Sequence, residues 1–441
     1  MIDNTVFKKP LKALYHTAGC KLNFAETSSV ADAFAKAGIS AVAEGETPDM
    51  VVFNTCSVTA EADRKCRSSI RSLNRRYPQA IIFVTGCYAQ LHPEELRELP
   101  GVAVVAGVND KLALVDYARR YFEEGPLTVD VPDAKDLRSF MPSCSRGDRT
   151  RFFLKVQDGC DYWCTYCTIP KARGRSRSGT IDQLVAQARD AAAQGGREIV
   201  LTGVNIGDFG HGRDDSFIDL CRALDKVEGI DRYRISSIEP NLLTDELIEF
   251  VAGSKRFMPH FHIPLQCGDD EVLVLMRRRY GTDLFRHKVE LIRTTIPDAF
   301  IGVDLIVGAR GETDERFESS RSFIESLDIS HLHVFAYSER PGTRALQIEH
   351  AVSQHEKHQR SSVMTALSAR KHRAFAERFI GSVRPVLLEH SHHGHPLGGF
   401  TDNYLRVETV LTPEFDNSIV MMRLDSLQND GETINASLVS Q

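Results

Sequence analysis

Over the first 125 residues, short apolar runs alternate with amphipathic stretches, the pattern of parallel strands joined by helices. ALYHTAG (13–19), MVVFNT (50–55), AIIFVTG (80–86) and VAVVAG (102–107) are the expected strands, with helices over 24–37, 59–76, 93–98 and 110–122. Right-handed crossovers bring the C-terminal ends of such strands to one edge of the sheet, where open α/β sheets bind their ligands. Three of the strands run directly into a cysteine: Cys20, Cys56 and Cys87. Residues far apart in sequence are thereby expected at one site.

Residues 126–147 hold prolines and glycines without sustained periodicity and are expected to be a linker. The alternation then resumes, with strands expected at 152–156, 197–202, 232–237, 260–264, 300–307 and 332–336, and helices at 180–194, 216–227, 244–252, 283–295 and 314–327. Six such units predict a partial (β/α)6 barrel of TIM type over 148–375, with its site at the C-terminal mouth of the strands. A basic helix from about 353 to 380 follows. The last segment, 376–441, contains RPVLLEH, YLRVETV, SIVMMRL and TINASLV between turn residues, and is expected to be a small all-β barrel. The expected fold class is α/β: an N-terminal open parallel α/β domain over 1–125, the partial barrel, and the all-β tail.

Composition changes this picture little. No apolar run approaches the roughly 18 residues of a membrane span, and the N-terminus lacks a signal-peptide pattern, so the cytoplasm is the expected address. The net charge of −6 does not itself point to nucleic acid, but the charge is unevenly placed. Six Lys/Arg and no acid lie between Arg64 and Gln79, four between Lys171 and Arg177, and seven against the single Glu377 over 357–384. Such stripes are what a phosphate backbone meets, and equally what a solvated helix face looks like.

Ten cysteines in a chain of 441 residues argue for free thiols or metal ligation rather than disulfides. Three of them fall in GCDYWCTYCTIP, as Cys160-x3-Cys164-x2-Cys167. Positions i, i+4 and i+7 share a helix face, so a buried thiol stripe is one reading, but Gly159 and Pro170 bracket a segment too short for a typical helix. Zinc is a second, and it wants four ligands where no fourth follows at the usual spacing. A 4Fe-4S cluster held by three thiolates fits better and leaves one iron without a protein ligand.

Cys-x3-Cys-x2-Cys with Tyr166 before the third cysteine resembles the radical S-adenosylmethionine (SAM) superfamily. GCKLNFAET, NTCSVT and TGCYAQ are similar to the three cysteine motifs of its methylthiotransferase family, as are EIVLTGVNIGDFG, RISSIEP, HIPLQCGDD, DLIVGARGET and HVFAYSERPGTRA further on. The basic helix and β tail look like that family's RNA-binding TRAM domain. The resemblance implies two 4Fe-4S clusters, one on Cys160, Cys164 and Cys167 and an auxiliary one on Cys20, Cys56 and Cys87. It implies SAM as both methyl donor and radical source, and replacement of an unactivated C–H by C–SCH3. Tyr166, Gly203 and Glu239 are expected SAM contacts by position.

The run QDGCDYWCTYCTIPKARGRSRS is most similar to the group acting on C2 of N6-threonylcarbamoyladenosine, 3′ to the anticodon in tRNA. Arg173, Arg175 and Arg177 are then candidate partners for the substituent's carboxylate, or else for tRNA phosphates. Isopentenyladenosine tRNA and a ribosomal-protein aspartate are the alternative substrates in the family, and an RNA-binding metal or redox protein is the non-enzymatic alternative. The implied partners are the tRNA anticodon stem-loop and an electron donor such as flavodoxin or ferredoxin, with no membrane and a monomer sufficing. Ala309 and Arg310 depart from the family's usual aromatic and proline. Cys66, Cys144, Cys221 and Cys267 are expected to pack, and HSHHGH (390–395) to be a loop rather than a metal site.

Overall fold

A computed structural model describes residues 10–145, 150–389, 397–410 and 413–439. The N-terminal unit is a parallel sheet of order β2-β1-β3-β4-β5, made of β1 (Leu11–Thr17), β2 (Ile39–Ala41), β3 (Met50–Thr55), β4 (Ile81–Gly86) and β5 (Val102–Val105). Helices α1 (Lys21–Lys36), α2 (Ala60–Arg76), α3 (Cys87–Leu91), α4 (Pro93–Arg97) and α5 (Leu114–Glu124) connect and cover it. β3 is buried along its whole length, which is why MVVFNT is a continuous run rather than an alternation. β2 escapes a sequence reading because three edge residues carry no period. The strand order reverses between β1 and β3, so the crevice where such sheets bind ligands opens at their C-terminal ends.

The expected linker is partly built into the next unit. Within it β6 (Ser143–Cys144) pairs antiparallel with β7 (Arg151–Lys155), and Val129, Ala134 and Leu137 are buried. β8 (Gln157–Asp158) and β9 (Arg177–Ser178) then form a short hairpin-like pair around the cysteine loop and α6 (Ile169–Arg173). Parallel strands follow in chain order: β7, β10 (Glu198–Thr202), β11 (Arg232–Ile235), β12 (His260–Gln266), β13 (Phe300–Val307) and β14 (His331–Ala336). Single bridges, Tyr233 to Phe257 and Ser237 to His262, join the two halves. Helices α7 (Ile181–Ala193), α8 (Phe217–Leu224), α9 (Asp245–Gly253), α10 (Asp270–Leu275), α11 (Thr282–Thr295) and α12 (Asp314–Ser326) complete the partial barrel.

Alternation along these strands sorts the residues. Phe152, Leu154, Ile199, Leu201, Phe261, Ile263, Ile301 and Val303 join the large helix-side core. The other face is much more polar: Lys155, Glu198, Arg232, Arg234, His260, His262, Asp304, His331 and His333 point to the concave side. α1 packs against β6 and β7 here, with Ala25 and Phe24 meeting Phe153 and Val200.

α13 (Gln354–Glu377) leads to a closed barrel of order β15-β16-β17-β19-β18, formed by β15 (Val383–Leu388), β16 (Leu397–Thr401), β17 (Arg406–Thr409), β18 (Ile419–Leu427) and β19 (Thr433–Leu438). Most of the basic stripe is spent on packing. Arg360 pairs with Glu312 and Asp314, Arg378 with Asp328, and Lys371 donates to the carbonyls of Glu325 and Leu327. The β barrel seals the N-terminal end of the partial barrel. Buried Glu198 accepts from Arg234, whose other donors reach the carbonyls of Thr401 and Asp402, while Arg232 reaches those of Phe400 and Pro385. The 390–395 histidine run lies outside the described residues.

Candidate active site: two cysteine triads and the cavity between the domains

Cys20, Cys56 and Cys87 follow β1, β3 and β4 and stand at the sheet's crevice edge. Gly19 has φ +101°, and a Cβ there would lie 2.8 Å from Cys56 Sγ, so a bare backbone lets the first turn close on the second cysteine. Asn23 ties these turns together by donating to the carbonyls of Ala18 (2.8 Å) and Thr55 (3.1 Å), and Thr55 Oγ1 donates to the carbonyl of Thr85 (2.6 Å). Burial pushes the Cys56 thiol up to about 12 and also raises Cys87, against the pull of Arg173 and Lys111. Cys66, expected only to pack, is buried under this triad with its Sγ 3.5 Å from the Cys56 carbonyl oxygen.

The second triad lies on the loop between β8 and α6. Gly159 (φ +71°) starts it, where a Cβ would stand 2.0 Å from the Arg175 carbonyl oxygen. The N–H of Cys160 donates to the Gly174 carbonyl and that of Cys167 to the Cys164 carbonyl, at 3.0 and 3.1 Å. Trp163, the chain's only tryptophan, takes φ +53° and is exposed. Burial pushes Cys160 and Cys167 up to about 12.

Arg278, which the sequence reading missed, organises this loop. It donates to Cys164 Sγ (3.0 Å), Tyr166 Oη (3.4 Å), Tyr280 Oη (3.0 Å) and the carboxylate of Glu239. Burial raises Glu239 while Arg278 opposes it. Tyr166 and Glu239 are thus gathered on one guanidinium. Gly203 is not part of that group: it lies at the exit of β10 against Gln157 and Ile206. Only the MRRRY run, three arginines before a tyrosine, hinted at Arg278.

The residues present suit iron-sulfur clusters and SAM. A zinc ion with thiolates at about 2.3 Å sets its sulfurs roughly 3.8 Å apart. Among the described residues, the group of three potential ligand atoms all within 4.8 Å of one another is His262, Asp304 and His333, so neither cysteine triad is drawn in around a single ion. Beside Cys87, four buried cations, Lys111, Lys155, Arg173 and Arg177, face two carboxylates, Glu26 and Asp158. That surplus matches an anionic thiolate-bound group. At the barrel mouth, the side-chain amide of buried Asn205 has neither end paired, and Asn241 Oδ1 and Asp208 Oδ2 are also unpaired, polar atoms that a SAM molecule would satisfy.

The same cation cluster corrects one expectation. All five N–H donors of Arg173 are engaged: Nε to Cys87 Sγ (3.2 Å), Nη1 to Glu26 and Asp158 (3.0 Å each), Nη2 to Asn23 (2.7 Å) and Glu26 (3.1 Å). Buried and saturated, it has nothing to offer a substrate carboxylate. Arg177 is likewise turned inward, onto Asp158, Asn109 and three carbonyl oxygens. Arg175 alone of the three is exposed. Burial would raise the carboxyl of Glu26, but Arg173, Lys111 and Lys155 outweigh it and hold the group below the usual carboxylate range.

A cavity of about 460 Å³ opens on the concave side, walled by all three units. Lys21 comes from α1, next to Cys20; His260, His262, Asp304 and His333 come from the partial barrel; Phe400, Tyr404 and Arg406 come from the β barrel. His262 Nε2 lies 2.8 Å from Asp304 Oδ1, and its Nδ1 lies 2.9 Å from Ser237 Oγ. Lys21 sets the cavity beside the first triad, and on its other side Asp304 bears electrostatically on Glu239.

Known proteins agree with this architecture. Residues 12–107 match the family described as Uncharacterized protein family UPF0004, and residues 154–324 match the Radical SAM superfamily. The chain is 37% identical over 420 residues to threonylcarbamoyladenosine tRNA methylthiotransferase MtaB of Bacillus subtilis, covering 93% of each chain. It is 32% identical to the tRNA-2-methylthio-N(6)-dimethylallyladenosine synthase of Syntrophotalea carbinolica, covering 94% of this chain and 97% of that one. In fold it resembles the radical SAM methyltransferase TsrM of Kitasatospora setae, with a TM-score of 0.56 at 16% identity over 76% of this chain and 77% of that one. With relatives above 30% identity along nearly their full lengths and both domain families matched in order, the chain belongs to the radical SAM methylthiotransferase family.

Proposed function

We propose that this chain methylthiolates C2 of N6-threonylcarbamoyladenosine in tRNA, on the adenosine 3′ to the anticodon. Cys160, Cys164 and Cys167 would hold one 4Fe-4S cluster, and Cys20, Cys56 and Cys87 the auxiliary one. When bound, the clusters and SAM supply the radical and the methylthio sulfur, chemistry that no side chain provides. The protein's own work is placement. Arg278 holds Glu239 and Tyr166 beside the cysteine loop, where with Asn205 they would orient SAM. The buried ion cluster on Glu26 locks α1 to the partial barrel.

The observation that supports this substrate is the set of polar groups lining the cavity beside Cys20. Imidazoles, Asp304, Lys21 and Arg406 line it. An isopentenyl group would leave Lys21 without a partner, while a threonylcarbamoyl group brings a carboxylate to meet it, beside a urea and a hydroxyl. Phe400 and Tyr404 of the β barrel would face the RNA. A monomer in the cytoplasm, reduced by a flavodoxin or ferredoxin, suffices for this chemistry. Mass spectrometry of tRNA nucleosides from cells lacking the chain tests the proposal. Loss of 2-methylthio-N6-threonylcarbamoyladenosine with its unthiolated precursor retained is the expected result, and an unchanged level refutes it.

A further inference from the structure

We infer that Lys21 reads the carboxylate of the substrate's N6 substituent and so sets which modified adenosine is accepted. The inference rests on the threonylcarbamoyladenosine reading above. Lys21 opens α1 immediately after Cys20, and its partly buried side chain lines the cavity. Among the described residues it has no hydrogen bond and no carboxylate within ion-pair distance, unlike Lys111 and Lys155, which are both paired to Glu26. Its ammonium nonetheless bears electrostatically on His260, His333, Asp304 and Tyr404, groups spread over two of the three units. An ammonium placed at the meeting point of three domains, without a partner, is half of an ion pair.

The other half has to come from the ligand. Asp304, the carboxylate it faces, is bonded to His262, and Glu432 lies exposed at the rim. In adenine, C2 and the N6-bearing carbon flank the same ring nitrogen, so a base offering C2 to the Cys20 triad carries its N6 substituent along the adjoining wall. A residue next to Cys20 is where that substituent's carboxylate arrives. A prenyl group in the same place would bury the ammonium against hydrocarbon, so one contact supplies both attraction and rejection.

The test uses the reconstituted two-cluster enzyme with anticodon stem-loop RNA carrying N6-threonylcarbamoyladenosine, its methyl ester, or N6-isopentenyladenosine. Wild-type enzyme is expected to lose about 10- to 100-fold in kcat/KM on the ester, mostly in KM, the range of a charge-assisted hydrogen bond. Lys21→Met is expected to lose a similar factor on the acid and at most about threefold on the ester, with iron content and cluster EPR signals unchanged, and Lys21→Arg to recover most of the loss. Equal wild-type activity on acid and ester overturns the inference without reference to any variant. So does a Lys21→Met loss of the same size on both substrates. A wild-type enzyme that ignores the acid and thiolates the isopentenyl stem-loop instead refutes the substrate reading itself.

Discussion

Glu26 is the keystone of the contact between the N-terminal unit and the partial barrel, and neutralising it tests whether the buried ion cluster holds them together. The carboxylate is fully buried and meets Lys111, Lys155 and Arg173, three cations from three separate stretches. Glu26→Gln keeps the shape and removes one charge, leaving four cations against Asp158 alone. Removing one partner of a buried ion pair costs about 3–5 kcal/mol, and 3 kcal/mol is already a roughly hundredfold change in the folded ratio. Burial already lowers Lys111, so in the variant it can shed its proton, and the penalty at pH 9 is expected to be smaller than at pH 6. Urea unfolding of cluster-free, reduced protein measures this, with the lone Trp163 reporting on the adjoining loop. Glu61→Gln, which breaks only exposed pairs with Arg64 and Lys65, is expected to leave the midpoint in place. A Glu26→Gln loss under about 1 kcal/mol, or one no larger than that of Glu61→Gln, refutes the reasoning.

Acid should loosen the β barrel through Glu198, which burial would raise but Arg234, Arg151 and Arg232 hold below its ordinary value. Its contribution is whole above about pH 4.5 and is lost as pH falls through the lower folded value, so protease cleavage near α13 should rise below that pH in wild-type protein and rise less steeply in Glu198→Gln. Gly159→Ala, whose Cβ cannot fit against Arg175, is expected to drop iron from about eight to about four per chain. Cys56→Ser should remove the other four and leave reductive SAM cleavage intact. Arg278→Met frees Glu239 and Tyr166, and SAM affinity by calorimetry is expected to fall about tenfold or more, the worth of a charged hydrogen bond.

MVVFNT was legible because burial on both faces writes itself as an apolar run, Cys20, Cys56 and Cys87 because each follows a strand, and Cys160, Cys164 and Cys167 because of their spacing. β2, β6 and β16 were not: three residues, two residues and a glycine-containing LGGFT carry no readable period. The ion cluster was invisible for a different reason. Glu26, Lys111, Lys155 and Arg173 are 18 to 85 residues from one to the next, and each alone looks like a surface charge. The arginine triplet shows the limit most sharply. Alternate spacing placed Arg173, Arg175 and Arg177 together, but α6 ends on the first, the turn at Gly174 throws the second outward, and β9 folds the third back onto Asp158. Lys21 was hidden inside a cysteine motif, where the eye goes to its neighbour.

The bond from Arg173 to Cys87 also sets an order of assembly during synthesis. The third cysteine of the first triad leaves the ribosome well before its buried guanidinium neighbour. At 5–20 residues per second, the 86 residues between them take about 4–17 s to add. Throughout that interval the sheet edge stands open to solvent and to oxygen. The N-terminal half-site is therefore covered only once Arg173 has been made, although its cysteines come first, and iron delivered earlier would meet an uncovered pocket.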